Sequence, residues 1–167
     1  PYNVFEREQE LTRGFLKLAD RYRFVVVVIT KSDLVCRDVD LFTAIGAHSP
    51  AAVNITITAA DDAVAKQIEP HAASSSDRFC AIETLSAKGI VCGVILLPVL
   101  PFLTDTKENI TRPRHHLPQQ PGAAVSYRHE GKYFRDRFAC GRRRGCVCVC
   151  GKTFRRVTSR PPADVLL

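Results

Sequence analysis

The sequence contains no methionine. A chain that opens Pro1-Tyr2-Asn3 without one is expected to be a fragment, a processed form or a mis-bounded gene product. It also lacks any apolar run of the ~20 residues that a membrane-spanning helix needs. Phe24–Ile29 and Ile90–Leu103 are both shorter, and Gly93, Pro98 and Pro101 interrupt the second. No signal peptide is read in these residues, and Cys36, Cys80 and Cys92 are scattered among apolar neighbours as buried reduced thiols would be, so a cytoplasmic setting is expected. A glycine-rich phosphate loop, a G-x-S-x-G elbow and an H-E-x-x-H pair are all missing, which removes the P-loop, α/β-hydrolase and zinc-protease classes.

What is present fits about one domain in its 167 residues, and 46% hydrophobic content is enough for a core. The net charge of +7 is unevenly distributed. Residues 1–111 carry 11 basic and 14 acidic side chains, whereas residues 112–167 carry 13 basic and 3 acidic ones. Eleven of those 13 are arginine, and five of the ten prolines and four of the seven cysteines lie in the same stretch. Two kinds of sequence meet near Thr111, and the organisation expected is 1–111 as one folded unit and 112–167 as an irregular basic tail.

The first stretch alternates two periodicities. Leu11, Phe15, Leu18 and Tyr22 form one apolar stripe on a helix expected over Glu6–Tyr22. Phe24–Ile29 reads as a strand buried on both faces. Asp38 or Asp40 is expected to cap a short helix carrying Leu41, Phe42 and Ile45, closed by Pro50. Val53, Ile55 and Ile57 alternate with Asn54, Thr56 and Thr58, giving a strand with one apolar and one polar face. Helical sequence follows over Asp61–Ile68 and again after a Ser74–Asp77 capping box, with Gly89 as its stop. Ile90–Leu97 is a further doubly buried strand, and Asp105 with Glu108 opens a helix that the tail is not expected to complete.

Strands near 24, 52 and 90, each followed by helical sequence, are successive β/α units of a parallel sheet or barrel. Three units are too few to close a barrel, so further units are expected before Pro1, after Thr111, or both. Chemistry in such folds sits at the C-terminal ends of the strands. Lys31 is the only cation at those three ends and suits a carboxylate or phosphate. Thr56 and Thr58 supply hydroxyls on the polar face that could bond a ribose or carboxylate, though on propensity alone ordinary β-branched strand composition explains them better. Asp61-Asp62 reads as a helix cap, and His48 and His71 have no second histidine at metal-ligand spacing.

Several spaced blocks then carry a resemblance: Pro1-Tyr-Asn-x-Phe-Glu6, Leu11-Thr-Arg13, Ile29-Thr-Lys-Ser32 with Arg37-Asp38, Ile55-Thr-Ile-Thr58, Ile68-Glu-Pro70, Arg78 with Ala81-Ile82, and Gly93 with Pro98-Val-Leu-Pro101. Over residues 1–111 the chain resembles radical S-adenosylmethionine (radical SAM) proteins, within them the branch related to spore photoproduct lyase. The resemblance implies an α/β fold that is part of a (β/α) barrel of radical SAM type. It also implies a [4Fe-4S] cluster that cleaves S-adenosylmethionine (SAM) reductively, an electron donor such as flavodoxin or ferredoxin, and damaged DNA as one candidate substrate. The SAM contacts it implies fall on Lys31 for the amino-acid portion and on the hydroxyl of Thr56 for the ribose, with Thr58 beside them. The three-cysteine cluster motif C-x3-C-x2-C of such proteins is absent from the chain and would precede Pro1. Cys36, Cys80 and Cys92 cannot replace it, and the chain alone is expected to be inactive.

The tail offers a second reading. Cys140, Cys146, Cys148 and Cys150 could form a four-thiolate zinc site, and its arginines with Tyr127, Tyr133, Phe134 and Phe138 could contact nucleic acid, making the chain a cluster-free binding module. The cysteine spacing is not that of zinc ribbons or ferredoxins. The sudden change in charge, arginine content and periodicity at one point is expected of disorder or, better, of translation in the wrong frame.

Overall fold

A computed structural model describes residues 2–117, 124–129 and 132–137. Cys140, Cys146, Cys148, Cys150, the Gly141–Gly145 arginine run and Phe138 lie outside the described residues.

The helix expected over Glu6–Tyr22 is broken. It forms as α1 (Glu6–Gln9) and α2 (Leu11–Arg21), with Glu10 between them in the left-handed region at φ 49°. The cause is the side chain of Glu6, which turns back and accepts hydrogen bonds from the Thr12 N–H and hydroxyl and from the Arg13 N–H. A carboxylate at the start of α2 meets the orphan amides that a helix leaves there. Arg37 clamps the same carboxylate at 2.7 Å. Although burial raises the Glu6 carboxyl, these bonds outweigh it and bring its pKa down to about 2.

Three parallel strands follow: β1 (Val26–Thr30), β2 (Ala51–Ile57) and β3 (Val91–Leu96), in the register Val28↔Val53↔Cys92 and Thr30↔Ile55↔Val94. Between β1 and β2 come a 3-10 helix, Asp33–Asp38, and α3 (Val39–Gly46). Between β2 and β3 come α4 (Asp62–Ile68) and α5 (Ser75–Ala87). Three of the capping signals behave as read. Ser74 Oγ accepts from the Asp77 N–H at 3.0 Å, Asp61 caps α4 by accepting from Ala63 and Val64 N–H, and Gly89 takes φ 78° after α5. Asp38 does not cap α3; it is buried, accepting from the Tyr2 hydroxyl and from Arg13 and Arg37.

The final helix, α6 (Lys107–His115), runs across Thr111 with Pro113 inside it, and Leu117 joins the core. Strand β4 (Ala124–His129) then pairs parallel with β3, and β5 (Lys132–Arg137) pairs antiparallel with β4. The sequence change at Thr111 therefore falls within a helix, and the sheet continues beyond it.

The sheet order β1-β2-β3-β4-β5 repeats the chain order. When every crossover steps the same way and is right-handed, all helices are laid on one face. Burial agrees. Val26, Val28, Val53, Ile55, Ile57, Cys92, Val94 and Leu96 pack with Leu16, Phe42, Ile45, Phe79, Ile82 and Leu85 into one core. On the opposite face Val27 and Ile29 are 60% and 51% exposed, so the strand read as doubly buried is covered on one side only. The α2 stripe is a second departure: Leu11, Phe15, Leu18 and Tyr22 face outward, while Leu16 and Ala19 are the residues α2 buries.

Candidate functional site

The alternation within β1 and β2 decides where the candidate residues go. Lys31 continues the series Val27, Ile29 on the open face, and Thr56 and Thr58 continue Asn54 on the same face. One step past the Thr30↔Ile55 pair, Lys31 and Thr56 come alongside at the C-terminal ends of adjacent strands. The structure thus brings Lys31, Thr56 and Thr58 to one end of one face.

A partly buried ionic hub lies beside them. Glu69, just past the end of α4, forms an ion pair with Lys31, accepts from Thr58 Oγ1 at 2.7 Å, and accepts from Arg78 Nη2 at 3.0 Å. Arg78 is 1% exposed, the largest fully buried side chain among the described residues. Its other two bonds go to the carbonyls of Ala73 and Thr56, both at 2.9 Å. Burial alone would raise the Glu69 carboxyl, but the donors from Lys31, Thr58 and Arg78 hold it below the usual carboxylate range. Two cations share this one carboxylate. An ammonium has three donors, so Lys31, whose side chain is 41% exposed, keeps hydrogen-bonding capacity for a second anion.

Lys31 also lines a cleft of about 510 Å³ with Tyr2, Asn3, Arg7, Ser32 and His71. A larger groove of about 730 Å³ lies at the other end of the strands, beside Phe42, Ser49, Pro50 and Ile90. The cleft at Lys31 is the better candidate because it holds the partly exposed cation at the strand ends, where backbone and side chains of successive units converge. Thr58 has already committed its hydroxyl to Glu69, so its part is to orient the hub. Thr56 is buried on the open face.

Of the remaining candidates, Asp61, Asp62 and His48 are structural. Asp62 accepts from Ser76 and ties α4 to α5. His48 bridges Ser49 Oγ at 2.9 Å and Asp20 at 2.8 Å. His71 is exposed on the cleft wall. No cluster of three or more metal-ligating side chains exists among the described residues. Cys36 and Cys92 are both raised by burial, Cys92 to about 11, which favours the thiol over the thiolate that an iron–sulfur cluster requires. The described residues therefore do not fit a [4Fe-4S] cluster.

Two residues outside the sequence-derived site hold it together. Arg78 occupies a core register of α5, between Ser75 and Ile82, and a lone charge in that register is the signal that marks it. Asn109 of α6 is buried and accepts from the Ala60 N–H while its amide donates to the carbonyls of Thr104 at 2.7 Å and Thr58 at 3.4 Å. It ties α6 to the loop after β2.

No protein-family profile matches the chain. Over 106 residues it is 37% identical to an uncharacterized protein of Methanocaldococcus jannaschii, a match covering 64% of this chain and 39% of that protein. Over 110 residues it is 26% identical to uncharacterized proteins of Mycobacterium bovis and of Mycobacterium tuberculosis strain H37Rv, covering 66% of this chain and 32% of theirs. The chain thus spans about two fifths or less of the length of these relatives.

Proposed function

We propose that the chain is the part of a radical SAM enzyme that receives the amino-acid end of S-adenosylmethionine. The observation carrying this reading is Lys31: a half-exposed ammonium at a parallel strand end, anchored from behind by Glu69 and facing a cleft. In this reading the ligand carboxylate takes the donors that Glu69 leaves free on Lys31, while Thr56, the ribose contact that the resemblance implies, lies beside Lys31 in register but is buried and outside the cleft lining. Charge-assisted bonds of this kind supply both affinity and orientation. The iron–sulfur cluster, when bound, supplies the electron that cleaves SAM, and its ligands would come from other parts of a longer polypeptide.

Titration of the chain with SAM and with its decarboxylated analogue tests the assignment. Lys31→Met is expected to weaken SAM binding about 10- to 100-fold, the range of one charged hydrogen bond. The analogue, which has no carboxylate, should bind wild type and variant alike. Equal losses for both ligands, or no binding of SAM by the wild-type chain, would contradict the role given to Lys31.

A further inference from the structure

The cleft at Lys31 offers more positive charge than one carboxylate uses. Arg7 and His71 stand on its wall, both exposed, and among the described residues neither has a hydrogen-bond or ion-pair partner. Lys31 shares its charge with Glu69, so the uncompensated cation of the cleft is Arg7. Asp33, exposed on the same wall, is the only carboxylate among the lining residues.

The neutral polar groups of the wall add to this bias. Asn3 Oδ1 accepts from the Glu6 N–H at 3.1 Å, which leaves the Asn3 amide N–H groups to donate. Ser32 Oγ accepts from the Leu34 N–H at 3.2 Å, which leaves its O–H to donate. A guanidinium has no acceptor, and an imidazole offers at least one N–H. The wall is therefore rich in donors and poor in acceptors, the complement of an oxyanion.

We propose that Arg7, His71, Asn3 and Ser32 form a second anion site in this cleft, which takes the phosphate of a small phosphate monoester. Three observations select that ligand class. A guanidinium fork with several single donors matches the three terminal oxygens of a phosphate better than the two of a carboxylate. A cleft of about 510 Å³ has the size of a small-molecule site. Residues 1–111, which form every wall of the cleft, carry 11 basic against 14 acidic side chains, so no broad positive field is there to hold a nucleic acid. As a phosphate site it stands apart from the SAM reading, since it uses none of the Lys31 donors; as the anchor of a substrate it rests on that reading.

Titration of the full chain with phenyl phosphate tests the site. Arg7→Met removes a side chain without a structural partner, so the fold should be unaffected. It is expected to weaken phenyl phosphate binding about 10- to 100-fold, and His71→Leu about 3- to 10-fold, with SAM binding within about 3-fold of wild type in both. Phenyl phosphate that fails to bind would overturn the proposal. So would equal binding by wild type and Arg7→Met, which would put the phosphate elsewhere on the chain, or a loss through Lys31→Met with none through Arg7→Met, which would leave one anion site in the cleft. A short single-stranded DNA that binds more tightly than phenyl phosphate and loses affinity through Arg7→Met would overturn the ligand class in favour of nucleic acid. If SAM does not bind, the Lys31 assignment fails, while phosphate binding that depends on Arg7 still supports this site.

Discussion

Replacing Arg78 with methionine is expected to lower the stability of the chain by about 3–5 kcal/mol, the scale for breaking a buried ion pair from one side. The guanidinium makes three divergent bonds, to the Ala73 and Thr56 carbonyls and to Glu69. Methionine approximates its volume and supplies none of them, leaving two carbonyls in the interior without their donor. Arg78→Lys should recover only a small part of the loss, because an ammonium cannot reproduce the planar fork that reaches all three acceptors. Urea unfolding, with an unchanged slope and a lower midpoint, is the measurement that checks it. A midpoint within the range of an ordinary surface substitution would show that the hub is dispensable.

The second large effect is expected at Asn109. Asn109→Leu keeps the side chain's size but strands the Ala60 N–H and the carbonyls of Thr58 and Thr104, at about 1–3 kcal/mol for each buried group left unpaired and about 3 kcal/mol in all after relaxation. Asn109→Asp should be intermediate, since it can still accept from Ala60 but cannot donate to the carbonyls. Thr111→Ala on the same helix is the control. Its hydroxyl is exposed and bonds only the carbonyls of Lys107 and Glu108, so a change within about 0.5 kcal/mol is expected. Thermal or urea unfolding of the three variants orders them, and equal midpoints would remove Asn109 from the support of the β2 end.

These two residues also mark how far the sequence could be read. Strand positions and caps were legible because they depend on neighbours in the chain: the alternation from Val53 to Thr58, the Ser74 box and Gly89 all act locally. The break at Glu10 was not, since it depends on Glu6 reaching back to Thr12 and being held there by Arg37, 31 residues away. The stripe from Leu11 to Tyr22 was seen, but periodicity identifies an apolar face without saying what covers it. The same limit applies to Phe24–Ile29, where a run of β-branched residues suggested burial on both faces and the sheet covers one.

At the candidate site, Lys31 and Thr56 could be reached from the sequence because strand parity alone puts them on one face. Glu69 and Arg78 could not be assigned partners, since Thr58–Glu69 and Thr56–Arg78 meet only after α4 and α5 have folded back over β2. The change of composition falls at Thr111, within α6 (Lys107–His115), and β4 pairs parallel with β3 beyond it. Composition reports the chemistry of the surface more directly than it reports where a helix stops.

The most direct test of the central claim is the release of 5′-deoxyadenosine from SAM by the longer polypeptide, reconstituted with iron and sulfide and reduced with dithionite. The account predicts at least one equivalent of 5′-deoxyadenosine per cluster, with the yield sharply reduced at subsaturating SAM by Lys31→Met. A reconstituted protein that takes up no iron–sulfur cluster, or one that binds SAM and leaves it intact under reduction, would contradict it.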